Sequence, residues 1–500
     1  MTPPTLPRSG GILLHPTSLP GPFGIGDLGP MAYRWVETLA SMKLSWWQVL
    51  PLGPTGPGDS PYQSFSAFAG GIKLLSPELL AQDGFVSSAF WEGCQFPDAY
   101  VDYSAVTGFK TALLREAWAN FQAGQGLPLR GEFAAYCDRE RAWLDDYALF
   151  AALRHRLDQP LQNWPKDLLR REPTALATAS KQLADEVQTV KFGQFLFDRQ
   201  WSALRTFAHQ RGVRIVGDAP IFVAPDSADV WAHPDQFLLD ADFHPTVVAG
   251  VPPDYFSADG QHWGNPLYDW QRMEKMNYSW WVDRMTRQLS QVDLIRLDHF
   301  RGFVQAWHIP AGETTARNGK WVDGPGAKLF DRLRTALGGL PIIAEDLGLI
   351  TPDVIALRNQ LGLPGMRVLQ FALNGPDDLH WPHNYEPNTV CYTGTHDNET
   401  VNGWFGRLAE HDRRYLGLTL GKYIEDPAWD LIRYAWSSVA MLAMAPLQDV
   451  LSLGNEARMN TPGVAQGNWR WRFRLDQFRP DLIGRLAELT TLYNRVPKER

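Results

Sequence analysis

Apolar residues along this chain follow two patterns: short unbroken runs, and longer stretches where they recur every three or four positions. The first marks a strand buried on both faces, the second an amphipathic helix. Gly11-Ile12-Leu13-Leu14-His15 reads as a first strand, and after a Pro/Gly-rich loop Trp35, Leu39 and Met42 share one face of a helix that begins at Pro30. Residues 46–52 form a second strand, which runs into a long loop from Gly53 to Gly71. The stretch 73–211 is rich in Leu, Ala, Glu and Arg and predicts helices over 111–121, 131–157 and 176–210. A third strand follows at 214–220, then a segment at 221–276 dense in Pro, Asp and aromatics, then a helix with Trp281, Met285 and Leu289 on one face. From there strands at 294–300, 341–347, 366–373, 389–393 and 448–453 alternate with helices, two of which stop at Gly338 and Gly362. This alternation predicts one α/β unit over 1–500: a (β/α)8 TIM barrel with a large helical insertion (73–211) after strand 2 and a loop-rich insertion (221–276) after strand 3.

Composition narrows the partners. A net charge of −8 and a pI near 5.9 leave no basic footprint for nucleic acid or an anionic membrane surface, so an uncharged substrate is expected. Twenty-one Trp, 25 Phe and 15 Tyr supply platforms for a binding cleft as well as core. Cys94, Cys137 and Cys391 form no CxxC pair, and the twelve histidines show no ligand spacing, so neither a disulfide framework nor a metal is indicated. Oligomeric state is not indicated. The N-terminus lacks the charged start and apolar core of a signal peptide, and a soluble cytoplasmic protein is expected. Gly24-Ile25-Gly26-Asp27-Leu28-Gly29 matches GxGxxG, but Pro16, Pro20 and Pro22 separate it from the first strand and no acid closes the second. A dinucleotide site needs both features, so no organic cofactor is expected.

Three of the apolar runs end in carboxylates with polar company: Leu294-Ile295-Arg296-Leu297-Asp298-His299, Ile342-Ile343-Ala344-Glu345-Asp346 and Val390-Cys391-Tyr392-Thr393-Gly394-Thr395-His396-Asp397. One such acid is ordinarily a helix cap or an ion-pair partner. Three from three barrel strands, two with Arg or His alongside, point instead to an active site at the strands' C-terminal ends. Glycosyl transfer needs such a set: an ionised carboxylate, a protonated carboxyl, and groups that hold the ring hydroxyls. Residues two apart on a strand share a face, so Arg296 sits beside Asp298 and keeps it ionised, as a nucleophile must be. Glu345 and Asp346 face opposite sides, and spacing does not choose between them.

Arg296-Leu297-Asp298-His299-Phe300-Arg301-Gly302, Ala344-Glu345-Asp346-Leu347-Gly348 and Thr393-Gly394-Thr395-His396-Asp397-Asn398 resemble the catalytic blocks of the amylomaltases, 4-α-glucanotransferases of the α-amylase clan. Further blocks agree, among them His15-Pro16-Thr17-Ser18-Leu19-Pro20, Asp59-Ser60-Pro61-Tyr62-Gln63, Gly217-Asp218-Ala219-Pro220, residues 250–256, residues 263–268 and Glu456-Ala457-Arg458-Met459-Asn460. The resemblance implies retaining transfer of α-1,4-glucan segments from maltooligosaccharides, amylose or starch to the 4-OH of an acceptor, with cyclisation when the acceptor is the same chain. It implies Asp298 as nucleophile, Glu345 as general acid/base, and Asp397 as a third carboxylate gripping the sugar, with Arg296 and His396 supporting the charge. It places Asp218 by the scissile-site sugar. It assigns Asp254, Tyr255, Phe256 and Trp263 to acceptor and glucan contacts, and the position of Tyr62 in a long loop suits a sugar platform. Pro57 stands where some relatives carry an aromatic, and Gly71-Ile72-Lys73 replaces an Asn-Pro pair; both lie away from the proposed chemistry. Two rivals share much of this pattern. A hydrolase on the same barrel would use the same acids and end the intermediate with water, whereas a silent glucan-binding protein would turn over nothing.

Overall fold

The computed structural model describes residues 6–253 and 257–497. Its strands, in chain order, are β1 (Ser9–Leu13), β2 (Trp46–Gln48), β3 (Arg214–Ala219), β4 (Val247–Val251), β5 (Gln261–Pro266), β6 (Leu294–Leu297), β7 (Gln305–Pro310), β8 (Lys320–Asp323), β9 (Ile342–Ala344), β10 (Gly365–Val368), β11 (Thr389–Tyr392) and β12 (Leu442–Pro446). Eight of them, all parallel, close into a barrel in the ring order β1-β12-β11-β10-β9-β6-β3-β2. The two-residue side-chain period then sorts each strand. Trp46, Val216, Leu294, Ile343, Met366, Val390, Tyr392, Leu442 and Met444 pack into one cluster that fills the barrel, whereas Trp47, Ile215, Ile295, Ile342, Cys391 and Ala443 belong to the larger core under the helices. Gly11 faces the filled interior, where an added Cβ would stand 2.7 Å from the Met444 sulfur.

Two features differ from the sequence reading. The eighth strand is Leu442–Pro446, and Leu447–Val450, overlapping the expected strand at 448–453, is a short helix. Pro446 stops the strand, and Gln448 and Asp449 turn inward to hydrogen-bond neighbouring loops. The segment 221–276, read as loop-rich, contains β4 and β5, which join β7 and β8 in an antiparallel sheet ordered β5-β4-β7-β8. Its central pairing joins Val248 to Ile309, far apart in sequence, so local periodicity carries no trace of it.

Between β2 and β3 the chain forms helices at Tyr103–Gln122, Leu129–Arg139, Arg141–Leu157, Pro173–Gln182 and Ala184–Gln210. The last of these anchors the 53–71 loop. Gln194 accepts from Gly70 N–H at 2.7 Å and donates to Gly70 O at 2.8 Å, and Asp229 accepts from Ala67 N–H at 2.8 Å. Helices Ala327–Leu337 and Pro352–Leu361 end at Gly338 and Gly362, whose φ of 73° and 72° suits glycine.

At the opposite end of the barrel two arginines close the seam between β1 and β12. Arg495 donates to the carbonyls of Trp436, Ser9, Ala440 and Ser438 at 2.7 to 3.1 Å, and Arg8 to those of Tyr493 and Trp436 at 3.0 Å. Trp436 and Ser438 terminate the helix Pro427–Ser437, so the guanidiniums satisfy its orphan carbonyls and complement its dipole. Among the described residues no helix is long and apolar enough to cross a membrane.

Candidate active site

The inward parity of β6 carries Arg296 into the top of the barrel beside the end of β3. Its guanidinium donates from Nη1 to both oxygens of Asp218, at 2.9 and 2.8 Å, and reaches Asp298 Oδ1 from Nη2 at 2.8 Å. Burial works against this charge, and the carboxylates of Asp218 and Asp298 outweigh it, so the guanidinium stays protonated. The two acids differ in access: the Asp218 side chain is sealed, whereas that of Asp298 is 29 % exposed and faces the cleft. Burial raises the Asp218 carboxyl, with the charge of Asp298 adding to it, while Arg296, His396 and a hydrogen bond from Tyr62 oppose the rise. That bond, from Tyr62 Oη to Asp218 Oδ2, is 2.8 Å. Burial pushes the Tyr62 phenol well up, and Asp218 adds to it, so Tyr62 remains a donor.

Glu345 follows β9 with the parity of Ile343 and so points inward. Its Oε2 accepts from His299 N–H at 2.7 Å and its Oε1 from Leu347 N–H at 2.8 Å. Burial, with the negative charge of Asp298 adding to it, pushes this carboxyl up to about 8; Arg296 and the two N–H donors hold it back. Glu345 therefore carries a proton at neutral pH. Asp346, with the opposite parity, pairs outside the barrel with Arg358 and Arg367 and accepts from Met366 N–H at 2.7 Å. Of the two adjacent acids only Glu345 faces the cleft.

His299 turns the chain in the left-handed region, φ 53° and ψ 52°, which brings its N–H to Glu345. Its imidazole is held neutral by burial, down to about 4, and meets Trp263 edge-on at 4.8 Å. Trp263, on β5, thereby joins the antiparallel sheet to the site. Asp254, Tyr255 and Phe256 lie outside the described residues.

Asp397 stands in the loop after β11, its side chain 44 % exposed. Asn460 Nδ2 donates to its Oδ1 at 2.6 Å, Arg458 donates to its main-chain oxygen at 2.6 Å, and His396 Nε2 lies 3.4 Å from Oδ2. The loop is shaped locally by Asn398, whose Oδ1 accepts from the N–H and the hydroxyl of Thr395, both at 2.9 Å. His396 stacks on Tyr62 with centroids 5.1 Å apart, and Trp469 leans on both rings. Tyr62, Asp218, Arg296, Asp298, Glu345, His396 and Asp397 are thus linked through direct contacts and charge coupling around the barrel's mouth. Arg458, Asn460, Trp469 and His299 complete the site without having been singled out. Three of the four lay in blocks already quoted, but nothing in their spacing marks them, and Trp469 has no signal beyond its residue type. Among the described residues no three His, Cys, Asp or Glu side chains are grouped to hold a metal ion.

The chain is similar to known proteins over nearly its whole length. A family model described as 4-alpha-glucanotransferase, glycoside hydrolase family 77, matches residues 14–476. The chain is 49 % identical to a 4-alpha-glucanotransferase of Thermus thermophilus, covering 98 % of this chain and 100 % of the relative. It is 47 % identical to the Synechocystis 4-alpha-glucanotransferase, covering 98 % of each. Among solved structures, an amylomaltase from Streptococcus agalactiae in complex with acarbose superposes with a TM-score of 0.95 at 37 % identity, covering 98 % of this chain and 100 % of that one. The barrel, the acids at its mouth and these full-length matches lead to one conclusion: the chain belongs to the 4-α-glucanotransferases of glycoside hydrolase family 77, the amylomaltases.

Proposed function

We propose that this 4-α-glucanotransferase works by retaining double displacement, with Asp298 as nucleophile, Glu345 as general acid/base and Asp397 as the carboxylate that grips the distorted sugar. The observation that carries this reading is the pairing of a buried Glu345, whose carboxyl is pushed up by that burial, with a cleft-facing Asp298 tied to Arg296. In the first step Asp298 attacks the anomeric carbon. The bond to the glycosidic oxygen breaks, and the proton of Glu345 goes to that oxygen as the reducing-side fragment leaves. In the second, the Glu345 carboxylate takes the proton of an acceptor 4-OH, whose oxygen displaces Asp298 and restores the α configuration. Attack by the donor's own distant 4-OH gives a cyclic glucan.

The acceptor grouping would draw on Trp263 and on the sequence-assigned Asp254, Tyr255 and Phe256, and Tyr62 with His396 would form the platform under the donor sugar. The segments 73–211 and 221–276 would act as walls of a single catalytic unit. The Streptococcus relative forms a complex with acarbose, which supports glucan binding by this chain; the proposed donors are maltooligosaccharides, amylose and starch. The three free cysteines suit a reducing cytoplasm.

Incubation with maltotriose tests the reading. Transfer yields glucose together with maltodextrins longer than the donor, while total reducing ends stay constant. A rise in reducing ends in step with maltotriose loss, with no longer products, would make the protein a hydrolase.

A further inference from the structure

The short helix Leu447–Val450, which replaces the expected strand after β12, holds a carboxylate that does not reach the cleft. Asp449 is 1 % exposed. Its Oδ2 accepts from the Thr393 hydroxyl at 2.6 Å and its Oδ1 from Val401 N–H at 2.8 Å. Thr393 is the residue on which β11 hands over to the loop, and Val401 is the first residue of the helix Val401–Arg407 that ends it. One carboxylate therefore bridges both stems of the loop that carries His396 and Asp397. The preceding residue makes a single contact on the other side of the site. Gln448 Nε2 donates to Ala457 O at 3.2 Å, next to Arg458 and Asn460, the two residues that hold Asp397 by its main chain and its side chain.

We propose that Asp449 is a positioning residue: by cross-linking Thr393 and Val401 from below, it fixes where the Asp397 carboxylate stands over the donor sugar. This rests on the assignment of Asp397 to the sugar. A carboxylate is a costly group to bury, and burial pushes Asp449 up to about 6, partly offset by its two hydrogen bonds. Its retention under the loop follows if the reaction depends on the loop's geometry. A displacement on the order of 1 Å of a reacting group costs about a hundredfold in rate, so a loosened stem should act on turnover more than on donor binding.

Fluoride release from α-maltosyl fluoride tests this in the full chain. The Asp449→Ala change removes both hydrogen bonds and should lower kcat by about 30- to 100-fold, with KM within about threefold. Asp449→Asn, which keeps the shape and one accepting oxygen, should recover most of that loss. In an Asp397→Asn background the same Asp449→Ala change should cost less than about threefold, because the group it positions is already gone. An equal loss in both backgrounds, or full activity of Asp449→Ala in the unmutated background, overturns the proposal. If Asp449→Ala does not fold, Thr393→Val removes one of the two bonds without a cavity and is read by the same comparison, with Thr393→Ser expected to behave as the parent. Full activity of Asp397→Asn alone would instead sink the assignment of Asp397, so the two failures are distinguishable.

Discussion

The raised pKa of Glu345 places the alkaline edge of activity within reach of a direct measurement. A carboxyl titrating near 4.5 is protonated about 0.3 % of the time at pH 7, whereas one titrating near 8 is protonated about 90 % of the time, roughly a 300-fold gain in the form that donates. The full displacement from 4.5 to about 8 corresponds to about 5 kcal/mol of preference for the neutral acid. Burial supplies most of it and the charge of Asp298 adds, against Arg296 and the N–H groups of Leu347 and His299. The acid form is lost as pH rises through about 8, so kcat/KM for maltotriose should stay level toward neutrality and fall about tenfold per pH unit beyond about 8. Initial rates of glucose release at low maltotriose concentration, across buffers of constant ionic strength, would show this limb. With α-maltosyl fluoride, whose leaving group needs no proton, the same limb should vanish from kcat/KM, which then reports glycosylation of Asp298 alone. A limb near 8 that persists with the fluoride would assign the titration to another group, and no limb with maltotriose up to about pH 9.5 would refute the protonated-acid argument.

Three further outcomes follow from named contacts. Glu345→Gln treated with α-maltosyl fluoride should accumulate a sugar ester on the peptide containing Asp298, seen by mass spectrometry; an adduct on Asp397 would reverse the roles of the two acids. Tyr62→Phe removes one donor to Asp218 but leaves both bonds from Arg296, so kcat/KM should fall roughly 10- to 100-fold with the thermal midpoint kept, and an unchanged rate would deny Tyr62 any part in ordering the site. Asp346→Ala strands Arg358 and Arg367 and should cost about 3–5 kcal/mol in denaturant unfolding, whereas unchanged stability would mean that these arginines find water or other partners.

The strands that carry the acids were legible because each is a short apolar run with a carboxylate at or just beyond its end, and the helices after two of them stop at Gly338 and Gly362. The choice between Glu345 and Asp346 was not, since Ile342 and Ile343 are equally apolar and a strand buried on both faces has no polar side to set the parity. Only the closed barrel distinguishes them, by placing Ile343 in the interior cluster with Trp46 and Met366 and Ile342 in the core under the helices outside. β12 escaped for a different reason. Leu442-Ala443-Met444-Ala445 has the composition of a helix, and pairing with β1 and β11, from opposite ends of the chain, makes it a strand. Gln448 and Asp449 read as part of a strand because their neighbours are apolar, whereas their buried polar ends serve two other loops. The antiparallel sheet depends likewise on partners about sixty residues apart, which no local period reports.

The arginine seam between β1 and β12 also fixes how the molecule can be handled. Arg8 and Arg495 bind the same carbonyls, those of Trp436 and Ser438, so residues far apart in the chain are locked together on the face where the strands begin. The cleft opens at the other face. An anchor placed on this face, such as a solid support, would therefore hold the enzyme mouth-outward, free to meet a polymer too large to diffuse around it.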